Sequence, residues 1–202
     1  VLIRAAGLGA EAAYKLLTGS VVPRPIAWIT TVSPAGLVNL APFSAFTFLS
    51  NTPPMIGVSI GRKAGVLKDT ARNIRASREF VVNVADESRI DAVHASAREY
   101  PADVGEAELL GLATVASAAV VPPRLAVARV ALECRLVRVL TFGAARTNFF
   151  VAMVEVFQID DAILTDGKID TARLRPLARL GGPRYATLGS IVSRAPIPTT
   201  PK

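Results

Sequence analysis

The chain is poor in the residues on which much site chemistry depends. One cysteine, Cys134, among 202 residues excludes a disulfide framework and every Cys-x-x-Cys metal or redox motif. One histidine, His94, excludes the His-Glu-x-x-His metalloprotease helix and any site needing two imidazoles. Charged residues make up only 19% against 51% hydrophobic, which excludes a disordered chain and provides for a substantial core. Long apolar runs are also missing. Mean hydropathy is +0.41 and residues 25–61 hold no charge, a stretch longer than a transmembrane helix requires. Yet Pro34, Gly36, Asn39, Pro42, Asn51, Pro53 and Pro54 interrupt it, which is the chemistry of strands and turns. Near the start, Glu11 and Lys15 stand where a secretory leader would have its apolar core. The expectation is a cytoplasmic protein with no membrane partner.

Acidic residues are scarce in one region in particular. The formal charge is +7, and residues 1–78 carry all of that excess, with nine cations against Glu11 and Asp69. Between Ala12 and Lys68 there is no carboxylate. Scattered cations in a carboxylate-free stretch suit a buried anionic ligand. A nucleic acid would call for dense Lys/Arg clusters interleaved with aromatics, so none is expected as a partner. The bland origin of the charge is solubility in an Ala-rich, Lys-poor composition.

Pro25–Val32 reads as a strand, Ser33–Gly36 as a turn with Pro34 at its second position, and Leu37–Ala41 as the returning arm. Phe43–Leu49 is a further extended segment with aromatics on both faces, and Met55–Ile60 a short apolar strand. Asp69–Ser77 reads as a helix capped by Asp69 with Ile74 toward the core, and Phe80–Val84 as a strand. Asp86–Arg98 is predicted as a second helix, opening an acidic surface region that continues to Glu108. Arg129–Leu140 and Asn148–Ile159 are long strand candidates separated by Thr141–Thr147. In the first, Glu133 and Arg135 alternate with Leu132, Cys134 and Leu136, as in a half-buried strand, and Leu174–Leu180 is a short helix or turn. One domain over 1–202 is expected, with 1–14 and 190–202 as peripheral extensions. Its class is mainly β, an antiparallel β-barrel with a few peripheral helices.

Three motifs tempt and fail on context. Gly7-Leu8-Gly9-Ala10-Glu11-Ala12 matches a dinucleotide fingerprint, but no acidic residue follows until Asp69 and no βαβ unit surrounds it. Gly57-Val58-Ser59-Ile60-Gly61 matches a nucleophile elbow, with Asp69, Asp86 and Asp91 before His94. That elbow needs a strand-to-helix turn in a parallel sheet, which the spacing of elements here does not provide. His94 reads as a surface or capping histidine. Asp160, Asp161, Asp166 and Asp170 lack metal-loop spacing and read as turn residues, so no metal is expected. Trp28 and Phe43–Phe48 read as core before ligand platform.

One constellation carries more. Lys68-Asp69-Thr70 with Asn73 opens a helix, where free N–H groups and the helix dipole receive a phosphate, with Lys68 and the Thr70 hydroxyl adding charge and a donor. Upstream, in order, stand Arg24-Pro25, Trp28–Val32, Asn39–Ser44 and Ser59–Gly61. The stretch RPIAWITTVSPAGLVNLAPFSAF…NTPPMIGVSIGRK…KDTARNI…EFVVNV, with LRPLARLGGPRYATLG later, resembles the flavin reductase-like, FMN-binding split-barrel family over about Leu16–Leu188.

The resemblance implies a split β-barrel that homodimerises, with FMN at or near the interface. By position, Thr30 and Thr31 would lie on the strand lining the flavin, and Asn39, Ala41, Pro42, Phe43 and Ser44 would wrap the ring and ribityl chain. Ser59, Ile60 and Gly61 would meet the ribityl or phosphate, Lys68 and Thr70 the phosphate itself. Arg24 is a further phosphate or ring candidate, and Tyr185 would approach the ring from the dimer partner. Ala45, inside Phe-Ser-Ala-Phe, leaves room beside the ring. A carboxylate-free site suits the dianionic phosphate and the negative charge of a reduced ring. Some flavin reductases keep a histidine near the nicotinamide, and His94 does not align with it. The implied function is an FMN-dependent oxidoreductase moving electrons from NADH or NADPH to a flavin, oxygen or another acceptor, with no catalytic acid or base nominated. The alternatives are an FMN carrier without turnover of its own and, more distantly, a serine hydrolase acting through Ser59.

Overall fold

Seven strands form the main sheet of this computed structural model, which describes residues 1–195. They are β1 (Ala27–Val32), β2 (Val38–Phe43), β3 (Phe46–Asn51), β4 (Pro54–Ile60), β5 (Glu79–Val84), β6 (Val130–Phe142) and β7 (Thr147–Ile159). Their spatial order is β2-β1-β5-β6-β7-β4-β3, with every pair antiparallel. The two edge strands, β2 and β3, are consecutive in the chain and separated only by Ser44 and Ala45. The sheet therefore curls until its edges come together at that link, where the ladder stops.

The curl encloses the main core, with Ile29, Val58, Ile60, Phe80, Val82, Cys134 and Phe150 packed inside and Ile74 sealing it from helix α2 (Asp69–Ser77). A second cluster lies on the other face of β1, around Trp28, Leu40, Val93, Leu125 and Leu177. Burial on both faces explains why β1 is buried continuously from Ala27 to Thr31, without the alternation of a half-exposed strand. Trp28 is core, as expected, and its indole N–H donates to Ser96 Oγ at 2.9 Å.

Several boundaries differ from expectation. Arg24–Pro25 leaves the main sheet and joins Ala178–Arg179 and Tyr185–Ala186 in a three-stranded sheet. Pro25 has no N–H for an interior ladder, and here it sits on an edge strand. Asp69 is the first residue of α2, not its cap; Lys68 holds the cap position, and Asp69 pairs with Arg72 one turn on. The second helix is shorter than predicted. After a 3₁₀ turn capped by Asp86, α3 runs Ile90–Ala95 and then opens into a loop. Leu174 ends a helix, Thr171–Leu174, instead of starting one, because Arg175 turns left-handed (φ 50°) before Pro176. The aspartates are turn and cap residues as predicted: Asp160 and Asp170 cap short helices, and Asp166-Gly167 forms a tight turn with both φ positive.

A buried carboxylate ties a loop to the sheet. Glu133 is inaccessible to solvent and accepts from Ala118 N (2.9 Å), Ala119 N (2.6 Å) and Gln158 Nε2 (3.2 Å). Burial pushes its pKa up, but these donors outweigh burial and hold it below the ordinary carboxylate value. A lowered pKa gives stability that is complete above the unfolded-state value and is lost as pH falls through the folded one. Glu133→Gln is expected to cost about 1–3 kcal/mol at pH 7, the loss of charge-assisted bonds. Thermal melts should show the gap from wild type closing below pH 4; a gap that stays constant from pH 7 to pH 3 would show that the charge contributes nothing.

Candidate functional site

A cavity of about 710 Å³ opens beside β2. Its walls are the start of α2, the Val93–Tyr100 segment of α3 and its loop, helix α4 (Glu106–Leu109), and the strands that carry Arg179 and Tyr185. Arg24, Asn39, Ala41, Pro42, Phe43, Ser44, Lys68, Thr70 and Tyr185, all expected site residues, line it together. Thr30, Thr31, Ser59, Ile60 and Gly61 are not among the lining residues.

The start of α2 forms one wall. By helix geometry the N–H groups of Asp69, Thr70 and Ala71 have no acceptor within the helix. Lys68 is exposed, has no carboxylate partner among the described residues, and its Nζ lies 5.9 Å from the centre of the Phe43 ring. The Thr70 hydroxyl, expected to face a phosphate, turns inward and donates to Asn39 Oδ1 at 2.8 Å. Thr31 is likewise buried, donating to Asn39 Oδ1 (3.2 Å) and accepting from Asn73 Nδ2 (3.0 Å), while Thr30 donates to Pro123 O at 2.6 Å. These threonines hold the site's walls in place from behind.

Arg24 is also committed. It donates to Thr18 O and Val21 O (both 2.7 Å), Leu180 O (3.0 Å) and Ser44 Oγ (3.3 Å). It thereby binds the end of helix α1 (Ala10–Ser20), the C-terminal strands and the β2–β3 link at one point. Helix α1 was not predicted. It buries none of its residues, yet Tyr14 reaches the cavity, so the functional wall begins within the segment expected to be peripheral.

The cavity is not free of carboxylates. Asp69, Glu99 and Glu106 line it, and each is satisfied: Asp69 by Arg72, Glu99 by Lys63, and Glu106 by Asn39 Nδ2 and Leu40 N. Glu106 is 7% exposed, although its neighbours in sequence read as an acidic surface. Sequence reasoning also missed Arg179, whose guanidinium stacks 4.6 Å from the Tyr185 ring centre. Tyr185 lines its own chain's cavity, and its hydroxyl is 3.1 Å from His94 Nδ1. His94 is exposed, as expected.

Ser59 has no elbow geometry. It lies inside β4, between β3 and β7, with its N–H donating to Ala45 O at 2.8 Å, and no helix follows it directly. His94 is engaged with Tyr185, so Ser59 gains no base from it. The Gly7–Ala12 motif opens α1 but follows no strand. Among the described residues there is no metal-binding cluster and no helix long and apolar enough to cross a membrane. Cys134 is buried in the core, and burial pushes its thiol pKa far up, which removes it from redox chemistry.

Residues 18–173 match the family described as the flavin reductase like domain. The fold is similar to that of nitrilotriacetate monooxygenase component B from Bacillus cereus (35% identity, TM-score 0.92, covering 96% of this chain and 98% of the other). It is similar also to 2-nitrobenzoate 2-nitroreductase NbaA from Pseudomonas fluorescens (30% identity, TM-score 0.88, covering 98% and 97%). A chain with a split barrel domain from Shewanella frigidimarina shares the fold at 23% identity and TM-score 0.83, covering 95% and 94%.

Proposed function

Because the chain belongs to the flavin reductase like domain family, we propose that it is a cytoplasmic, FMN-dependent oxidoreductase of split-barrel architecture. It takes electrons from NADH or NADPH and passes them to a flavin, oxygen or another small acceptor. The observation that carries this reading is the convergence, on one 710 Å³ cavity, of a lysine with no carboxylate partner among the described residues, a helix N-terminus and the apolar edge of β2. The donor set fits FMN. Lys68 and the first N–H groups of α2 would hold its phosphate, and Ala41, Pro42 and Phe43 would pack against the ring. Asn39 is held in place behind them by Glu106. Bound FMN supplies the two-electron chemistry, while the protein supplies orientation, charge complementarity and exclusion of water.

The visible spectrum of purified protein, after addition of FMN and desalting, tests this reading. Retained flavin bands are expected, and a protein that stays colourless would overturn it. Anaerobic NADH or NADPH should then bleach the bands. If neither does, the carrier without turnover replaces the reductase.

The chain would act as a homodimer. Apolar residues cluster around the end of the β6–β7 hairpin, Phe142 and Leu49 exposed and Phe149 half-buried: Phe142 packs edge-on to Phe149 at 6.4 Å, and Phe149 and Leu49 close over Gly57. Phe142 is 57% exposed, which suits burial against a second copy. Light scattering should report twice the chain mass, and a monomer would refute the dimer.

A further inference from the structure

Two cations on the cavity wall remain uncommitted once a flavin phosphate is allotted to Lys68. Lys63 and Arg72 each face a carboxylate, and Arg24 is spent on carbonyls and Ser44. Arg98 and Arg179 have no carboxylate partner among the described residues, although both line the cavity. Two unpaired guanidinium groups on the wall of a cavity call for an anion beyond the one bound by α2.

Arg179 is the better prepared of the two. Its guanidinium lies 4.6 Å from the Tyr185 ring centre, and one nitrogen donates to Gly182 O at 2.7 Å. That stacking fixes the plane of the group and leaves most of its five N–H donors free. Tyr185 is fixed in turn. Its hydroxyl is 3.1 Å from His94 Nδ1, and the two rings meet edge to face at 5.9 Å. With the proton on Nδ1, His94 donates to the Tyr185 oxygen and the phenol O–H is free to donate into the cavity. Arg179 and Tyr185 are adjacent, oriented, and stand on the C-terminal strands, a different wall from the α2 N-terminus.

Resting on the flavin-binding reading, we propose that Arg179 and Tyr185, with His94 behind Tyr185, form a subsite for an oxyanion on the second ligand of the cavity. This oxyanion is a carboxylate or phosphate of the molecule that exchanges electrons with the flavin. Tyr185 then serves its own chain's second ligand instead of reaching a partner's flavin ring. Two sources share the chemistry: the phosphates of a nicotinamide dinucleotide, and the carboxylate of an aromatic acceptor.

The test uses untagged, FMN-loaded protein, in which His94 is the sole histidine and its imidazole C–H signals report one site by NMR. Titration with NAD⁺, NADP⁺ and benzoate separates the sources. At least one is expected to bind and shift the His94 signals, and the arm that does so identifies the oxyanion. Arg179→Gln should weaken that ligand at least tenfold and Arg179→Lys should recover part of the loss. Tyr185→Phe should abolish the His94 response. FMN affinity should stay within twofold throughout, which also shows that the variants are folded. The proposal is overturned if none of the three ligands moves His94, or if Arg179→Gln binds the ligand as wild type does. It is overturned also if Arg179→Gln loses FMN in step with the ligand, which would assign Arg179 to the flavin phosphate. A wild-type protein that retains no flavin overturns both readings, and its colourless spectrum reveals this before any titration.

Discussion

Lys68→Glu is expected to weaken FMN binding by about two orders of magnitude, near 3 kcal/mol, the loss of a charge-assisted contact together with a new repulsion. The size follows from where Lys68 stands. It occupies the cap position of α2, so its charge adds to the unpaired N–H groups and the positive end of the helix dipole. The adjacent Asp69 does not cancel this, because Arg72 pairs with it. Lys68 is exposed, so removal of charge alone is worth less: Lys68→Ala should lose about tenfold, near 1.4 kcal/mol. Salt should narrow the difference between the two variants, since an exposed charge is screened within a Debye length of about 8 Å at physiological ionic strength. Lys168→Glu changes net charge equally on a distant hairpin, outside the cavity lining, and should bind FMN as wild type does. If Lys68→Glu matches Lys168→Glu in FMN fluorescence titrations, the phosphate lies elsewhere and the start of α2 is only a capped helix.

The parts of this fold legible in the sequence are those whose cause is local. The polar start of α2 with Ile74 toward the core, and the alternation around Glu133 and Arg135 in β6, are written within a few neighbouring residues. The Asp166-Gly167 turn likewise depends only on its own two backbone conformations. The α2 wall of the cavity was legible for the same reason, since Lys68 and the first turn of α2 are contiguous. What escaped depends on distant partners. Arg24 reads as a free cation until its acceptor at Leu180, 156 residues away, is known. Glu106 sits in an acidic segment and reads as surface, yet its donors are 66 and 67 residues upstream. The strands Ala178–Arg179 and Tyr185–Ala186 are two residues long and carry no period to detect. The absence of carboxylates from residues 12–68 was real, but three arrive at the cavity from later in the chain. Pairing, not absence, offsets their charge at the cavity wall: each is neutralised or hydrogen-bonded where it stands.

That dependence makes Glu106→Ala the most informative change behind the cavity wall. Both Glu106 oxygens accept from Asn39 Nδ2, at 2.8 and 2.9 Å, and Oε2 also accepts from Leu40 N at 3.0 Å. Asn39 Oδ1 in turn receives the hydroxyls of Thr70 and Thr31, and Thr31 accepts from Asn73. One carboxylate on α4 thus fixes β2 and, through Asn39, both turns of α2 that carry Thr70 and Asn73. Removing it leaves buried donors on Asn39 and Leu40 without acceptors, each at about 1–3 kcal/mol. The expected total is about 3 kcal/mol, or a fall of roughly 6–12 °C in Tm for a chain of this size. Glu108→Ala, exposed on the same helix, should melt within about 0.5 kcal/mol of wild type. The ligand provides a second, independent readout. If the network aims the α2 N–H groups, Glu106→Ala should weaken FMN several-fold at temperatures where the variant is still fully folded. A variant that is less stable but binds FMN normally would show that α2 is oriented by its own packing through Ile74 and Ala71, with Glu106 serving stability alone. One that melts with wild type would mean that water from the cavity satisfies Asn39 and Leu40 as well as the carboxylate does.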